Sequence, residues 1–250
     1  MRFSRPGARG SLLAVHVTEF RSIAASIDWR RRAHAEAART PDLLFFRPMT
    51  LVGSRDSGGF AGARAHARAQ VLLSAWPSEK AFAHFLSTGL GARLARAESN
   101  GFVLCQVMST RGSHHGHQPL LGSGTKPGSG PFAALTLGRS RISQFGRFVR
   151  HGLRLAPLLS EAEGLIAAIS AGAPLTGNCT FSVWESDQDM LRFAYGQANG
   201  HRRVAARRPP ILAEQLNARL QPIRAAGELS AMLGDSERLL ADVGPRPSNS

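Results

Sequence analysis

The chain has 250 residues, 43% of them hydrophobic, which is enough to bury a real core as one large domain or as two of ordinary size. Every apolar run is broken by Arg, Gly or Pro well short of the roughly 18–20 residues that span a bilayer, and two cysteines, Cys105 and Cys179, can build neither a disulfide framework nor a cysteine zinc site. The formal net charge of +14 is carried almost wholly by arginine and attracts phosphates, anionic lipid headgroups or an acidic protein. The basic residues are scattered along the chain without a zinc-finger, helix-turn-helix or RNA-recognition signature, which argues against nucleic acid as the partner.

The first ten residues are basic. They lead into an alternating pattern that His16, Glu19 and Arg21 interrupt, not into the apolar core of a signal peptide, and a cytoplasmic address is expected. Alternation predicts a strand over 12–17, followed by an Arg-rich helix over about 23–39 and a second strand over 43–49. A glycine-rich stretch, 53–60, reads either as a flap over a pocket or as a hairpin connection. A strand over 69–76 ends in Trp76-Pro77-Ser78-Glu79, where Ser78 is placed to cap a helix that carries Phe82 and Phe85. A strand over 101–108 closes this half. Residues 109–130, rich in Gly, Ser, His and Pro, are expected to be a flexible linker.

The same order then recurs: a strand over 132–137, a helix over 142–155, strands over 165–171 and 179–184, a helix from Asp187, and a strand over 218–223. Ser74-Ala75-Trp76-Pro77-Ser78-Glu79 matches Ser182-Val183-Trp184-Glu185-Ser186-Asp187, and Trp76 and Trp184 lie 108 residues apart. Each half therefore reads β-α-β-β-α-β, a ferredoxin-like unit. A sheet with helices on one side only leaves its other side apolar, so the two units must bury those sides against each other. The expected architecture is an α+β fold of two tandem ferredoxin-like units forming a dimeric-α/β-barrel-like body within one chain. Its expected divisions are 1–108, a linker over 109–130, 131–235, and a disordered tail over 236–250. Both tryptophans are expected to be core residues and both cysteines inert thiols.

Among the histidines, His114, His115 and His117 form the densest cluster, but a floppy linker would offer a metal no rigid geometry. His16 reads as a hydrogen-bonded sheet residue, and His84 as part of a solvated helix face. His201 differs. Gly196 and Gly200 break the preceding helix, His201 opens a short new one, and Pro209 and Pro210 end it. A histidine at a helix N-terminus is held neutral by the positive dipole end, with a lone pair free for iron. Ala205 and Ala206 leave room for a flat macrocycle, and Arg202, Arg203, Arg207 and Arg208 offer guanidinium partners for propionates. On residues alone, a basic surface helix with an incidental histidine is the preferred reading.

Several of these segments resemble the spheroidene monooxygenase family. They are Leu44-Phe45-Phe46, the 53–60 stretch, the Ser74–Pro77 strand end, Ala133–Thr136, Thr180–Trp184, Met190 with Phe193-Ala194, Gly200-His201, and Glu214-Gln215-Leu216-Asn217-Ala218-Arg219. The chain departs from the family pattern at Gly200, Ile211 and Leu212. The resemblance implies a haem-dependent carotenoid oxygenase that uses O2 and a reduced electron donor, with His201 as the axial ligand of the haem iron; the reading of the residues adds Arg202, Arg203, Ala205 and Arg207 beside the cofactor. It implies a long hydrophobic substrate, and the positive surface suits either a ferredoxin-type donor or an anionic membrane. A non-catalytic haem- or ligand-binding barrel and a cofactor-free monooxygenase of the same fold are the alternatives.

Overall fold

A computed structural model describes residues 10–54, 67–126, 130–173, 177–196 and 212–227. Among these, eight strands and five α-helices follow the order β1 (Leu12–Glu19), α1 (Ile23–Ala37), β2 (Phe45–Ser54), β3 (Ala69–Trp76), α2 (Glu79–Ser87), α3 (Gly89–Leu94) and β4 (Ser99–Gly112) in the first half. The second half holds β5 (Phe132–Ser140), α4 (Phe145–Ser160), β6 (Leu165–Ala173), β7 (Gly177–Trp184), α5 (Asp187–Tyr195) and β8 (Leu212–Gly227).

The strands close into one antiparallel barrel in the order β1-β3-β2-β6-β7-β5-β8-β4. Each half supplies a ferredoxin-like sheet, β4-β1-β3-β2 and β8-β5-β7-β6, and the halves join through β2 with β6 and β4 with β8. Closure removes the sheet edges that two separate units would expose. Alternate residues point inward. Leu13, Val15 and Val17 of β1 meet Leu135, Leu137, Phe181, Val183, Leu216 and Leu220 of the second half in one continuous core. The duplication expected from sequence is therefore the organising feature of the fold. Cys105 and Cys179 lie in this core, where burial pushes the Cys179 thiol up to about 12 and the Cys105 thiol further, so both stay protonated.

The repeated sequence motif has a local cause in each half. Residues two apart on a strand share a face, and the indole Nε1 of Trp76 donates to Ser74 Oγ at 3.0 Å while that of Trp184 donates to Ser182 Oγ at 2.9 Å. Ser78 Oγ accepts from the Ala81 amide and Ser186 Oγ from the Asp189 amide, capping α2 and α5. Ser-x-Trp-x-Ser thus satisfies one buried indole and starts one helix.

The seam strands run longer than expected. β4 continues to Gly112 and β8 spans Leu212–Gly227, because they pair with each other from Gly101↔Gly227 to Gly112↔Leu216 and the start of β8 pairs with β5 from Gly138↔Gln215 to Ser140↔Leu212. The helix expected at 142–155 is a short 3₁₀ turn, Ile142–Gln144, followed by α4. The described part of 109–130 is not a free linker. Residues 109–112 belong to β4, and residues 113–126 are tied across one end of the barrel. Ser11 Oγ accepts from the Leu121 amide, the Ser123 amide donates to the Val107 carbonyl, and Leu120 is buried in the barrel core. Polar composition concealed this, because much of what holds the segment is backbone hydrogen bonding, with Leu120 as a single apolar anchor.

Candidate functional site

The two halves match in backbone but not in how their helices cover them. In the first half, the outward face of the sheet is sealed: Phe20, Trp29, Leu72, Trp76, Phe82, Phe85, Leu90, Leu94, Phe102 and Leu104 form one buried cluster beneath α1, α2 and α3. In the second half the corresponding cluster shrinks to Leu165, Ala168 and Trp184, with Leu159, Ala162, Met190 and Phe193 half-buried against it. No side chain of α4 or α5 is buried. On α4, Phe145, Leu153 and Leu158 stay 45%, 46% and 41% exposed.

The register explains this row by row. Leu12 lies opposite Trp76, and Phe132 opposite Trp184, so His16 and Thr136, four residues on, are equivalent. His16 pairs with Leu72 and Phe102; Thr136 pairs with Thr180 and Asn217. The first trio is buried, whereas Thr136 is half-buried and Thr180 and Asn217 are exposed. One row away, Leu104 of the first half is replaced by Arg219; at the next, Thr18 is replaced by Gly138. At the central row small polar residues therefore stand where the other unit has His16, Leu72 and Phe102, and the amphipathic α4 buries none of its side chains. Thr136 Oγ1 bonds Asn217 Oδ1 at 3.1 Å, and Gln215 Nε2 donates to the same oxygen at 2.9 Å. Arg219 approaches Asp187 at 3.6 Å and lies over the Phe132 ring at 5.2 Å. This face is polar and, among the described residues, largely uncovered. Its signal was present in sequence only as polar residues at positions whose partners in the other repeat are Leu, Phe and His.

His201, Arg202, Arg203, Ala205, Ala206, Arg207 and Arg208 lie outside the described residues, as does most of the 53–60 stretch. His84 is exposed on α2. His16 is not the hydrogen-bonded sheet residue expected. It is completely buried among the rings of Phe82, Phe85 and Phe102, and neither ring nitrogen has a hydrogen-bond partner. Desolvation lowers its pKa to about 3; nearby Asn100 opposes this but is out of hydrogen-bonding geometry and does not reverse it. His114, in the supposed linker, is only 6% exposed, and its backbone bridges His117. Among the described residues no group of three or more His, Cys, Asp or Glu side chains is placed to hold a metal ion. Glu214 anchors this end of the barrel. It accepts from the Gly116 amide at 2.6 Å and from Ser113 Oγ at 2.8 Å, bonds that hold its carboxyl at about 2.

The fold and face together define a single-chain barrel of two ferredoxin-like units, with one unit sealed by its helices and the other, among the described residues, left open. A solved aldoxime dehydratase, in complex with butyraldoxime, shares this fold at a TM-score of 0.55 and 11% identity, over 88% of this chain and 81% of its own. No family model matches the chain. Two curated proteins do: a spheroidene monooxygenase from Rubrivivax gelatinosus is 32% identical over 70% of this chain and 68% of its own, and one from Cereibacter sphaeroides is 27% identical over 71% and 57%. The chain belongs to the spheroidene monooxygenase family and is by class a monooxygenase. The resembling element Glu214–Arg219 then has a physical reading: Glu214 holds the barrel end, Leu216 and Ala218 fill the core, and Asn217 and Arg219 face the open side.

Proposed function

We propose that the chain is a haem-dependent oxygenase acting on a long hydrophobic, carotenoid-type substrate with O2 and a reduced electron donor, and that cofactor and substrate are held on the outward face of the second unit. The observation that carries this is the contrast between the sealed outer face of the first sheet and the open one of the second, at matched positions of a duplicated fold. The residues suit a haem. The small side chains of Thr136 and Thr180 let a flat ring approach the sheet closely, the half-exposed apolar side of α4 offers it a greasy wall, and Arg219 with the exposed Arg147, Arg150 and Arg154 supplies guanidinium partners for carboxylates. The segment that carries His201, the proposed axial ligand, leaves α5 after Tyr195 and rejoins the sheet at Leu212, which lies opposite Ser140 of β5 and packs beside Gly138. Arg202, Arg203, Ala205 and Arg207 are proposed to flank the cofactor.

Haem bound here would supply the oxygen chemistry. The chain would orient the substrate along the apolar side of α4 and keep bulk water from it. The positive surface would dock an acidic ferredoxin-type donor or rest on an anionic membrane; no described helix is long and apolar enough to cross one. The test is reconstitution with hemin, followed by incubation with an acyclic carotenoid, O2 and a reduced ferredoxin. A Soret band with oxygenated product, both lost in His201→Ala, is expected. A Soret band without product would instead mark a binding protein, and a colourless but active protein a cofactor-free oxygenase; either outcome overturns the proposal.

A further inference from the structure

A second feature lies apart from the open face, at the end of the barrel closed by residues 113–121. A cavity of about 270 Å³ opens between the last turn of α1, the start of β2 and the 114–119 segment. Leu43, Phe45, Phe46, Ala37 and Pro119 give it apolar walls, and its polar groups are Arg47, His34, His114, His115 and His117. His114 is more than nine-tenths buried, lines the cavity, and has no hydrogen-bond partner on either ring nitrogen. Arg47 comes to the same place: a Cβ built on Gly177 would lie 3.4 Å from Arg47 Nη2 and 4.0 Å from His114 Cε1.

The charge around the cavity is one-sided. The groups that act on His34 are Arg47 and Arg30; those that act on His114 are His115, Arg47 and Arg139, with Glu214 alone of opposite sign. Glu214 is engaged by Gly116, Ser113 and, at 3.5 Å, Arg139. The C-terminal end of α1 opposes an anion with only about half an elementary charge. Burial and these cations hold both imidazoles neutral at pH 7, His114 at about 4, so each keeps one N–H to donate.

We infer that this cavity binds a small amphipathic anion, an oxyanion head held by Arg47 and the His114 and His34 rings with a compact apolar body against Phe45 and Phe46. A buried, unpartnered ring beside a guanidinium is costly unless a ligand satisfies it. A cavity of this volume suits a small ligand, at or below the lower end of the range of small-molecule sites. The inference does not depend on haem or on the carotenoid reading.

Calorimetric titration of the full chain with benzoate, phenyl phosphate and neutral benzamide tests it. Benzoate or phenyl phosphate should bind at least tenfold more tightly than benzamide, and whichever binds better identifies the head group as carboxylate or phosphate. Arg47→Gln should weaken the anion tenfold or more and leave benzamide unchanged; Arg47→Lys should fall between. In the unmodified protein the anion should shift the ring C2 proton resonances of His34 and His114 but not that of His84. Equal binding of benzoate, phenyl phosphate and benzamide, no binding of either anion at millimolar concentration, or unmoved His34 and His114 resonances would overturn the inference.

Discussion

His16 offers a quantitative perturbation. In the folded chain its pKa is lowered to about 3, whereas in the unfolded chain it titrates near 6.5. Between those values the unfolded state takes up a proton that the folded state refuses. The stability His16 permits is therefore complete above about pH 6.5 and is lost as pH falls toward 3. Each pH unit in that window costs about 1.4 kcal/mol, so lowering the pH from 7.5 to 5.0 removes roughly 2 kcal/mol through this residue alone. His16→Leu, similar in volume and set among Phe82, Phe85 and Phe102, removes the proton site and two unpartnered nitrogens. Urea unfolding at pH 7.5, 6.0 and 5.0 reads both consequences. The variant should match or exceed the parent at pH 7.5 and lose about 2 kcal/mol less than it by pH 5.0. Equal losses in the two proteins would refute the assignment, since the contribution of His114, the other histidine lowered to about 4, is common to both.

The asymmetry of the helical layers should be measurable as well. Phe82→Ala, at 1% exposure in the sealed layer, should cost about 3–5 kcal/mol in urea unfolding, and Phe193→Ala, half-buried over the open face, less than half of that. Glu214 has a folded pKa of about 2 against an ordinary value of 4.5, so its support for the 113–117 segment is present above pH 4.5 and is lost as pH falls toward 2. Glu214→Gln should accelerate exchange of the Gly116 amide proton severalfold at neutral pH by NMR; unchanged exchange would show that the carboxylate does not hold the segment.

The barrel was legible in sequence because duplication repeats its physical devices. Ser74 and Ser182 satisfy indoles, Ser78 and Ser186 cap helices, and alternation such as Leu13, Val15, Val17 marks an inward face. The ends of β4 and β8 were hidden because Ser109–Gly112 owe their pairing to Leu216–Arg219 across the seam and Leu212–Gln215 owe theirs to the end of β5, not to local pattern. The barrel-end cavity was hidden for a related reason: Arg47 and His114 are 67 positions apart, and only closure brings them to Gly177. His16 looked like any polar residue on a strand, and its isolation comes from three phenylalanines contributed by α2 and β4. The open face lay in plain sight as Thr136, Thr180 and Asn217, but it acquires meaning only beside His16, Leu72 and Phe102.

That comparison suggests the most direct experiment. Thr180 is exposed at the middle of the open floor, so Thr180→Trp should fold normally while filling the space above the sheet. In hemin titrations followed by the Soret band, the parent should bind one equivalent and Thr180→Trp should lose at least tenfold in affinity, with Arg47→Gln at the barrel end as an unaffected control. Full hemin affinity in a folded Thr180→Trp protein would contradict the placement of the cofactor on this face.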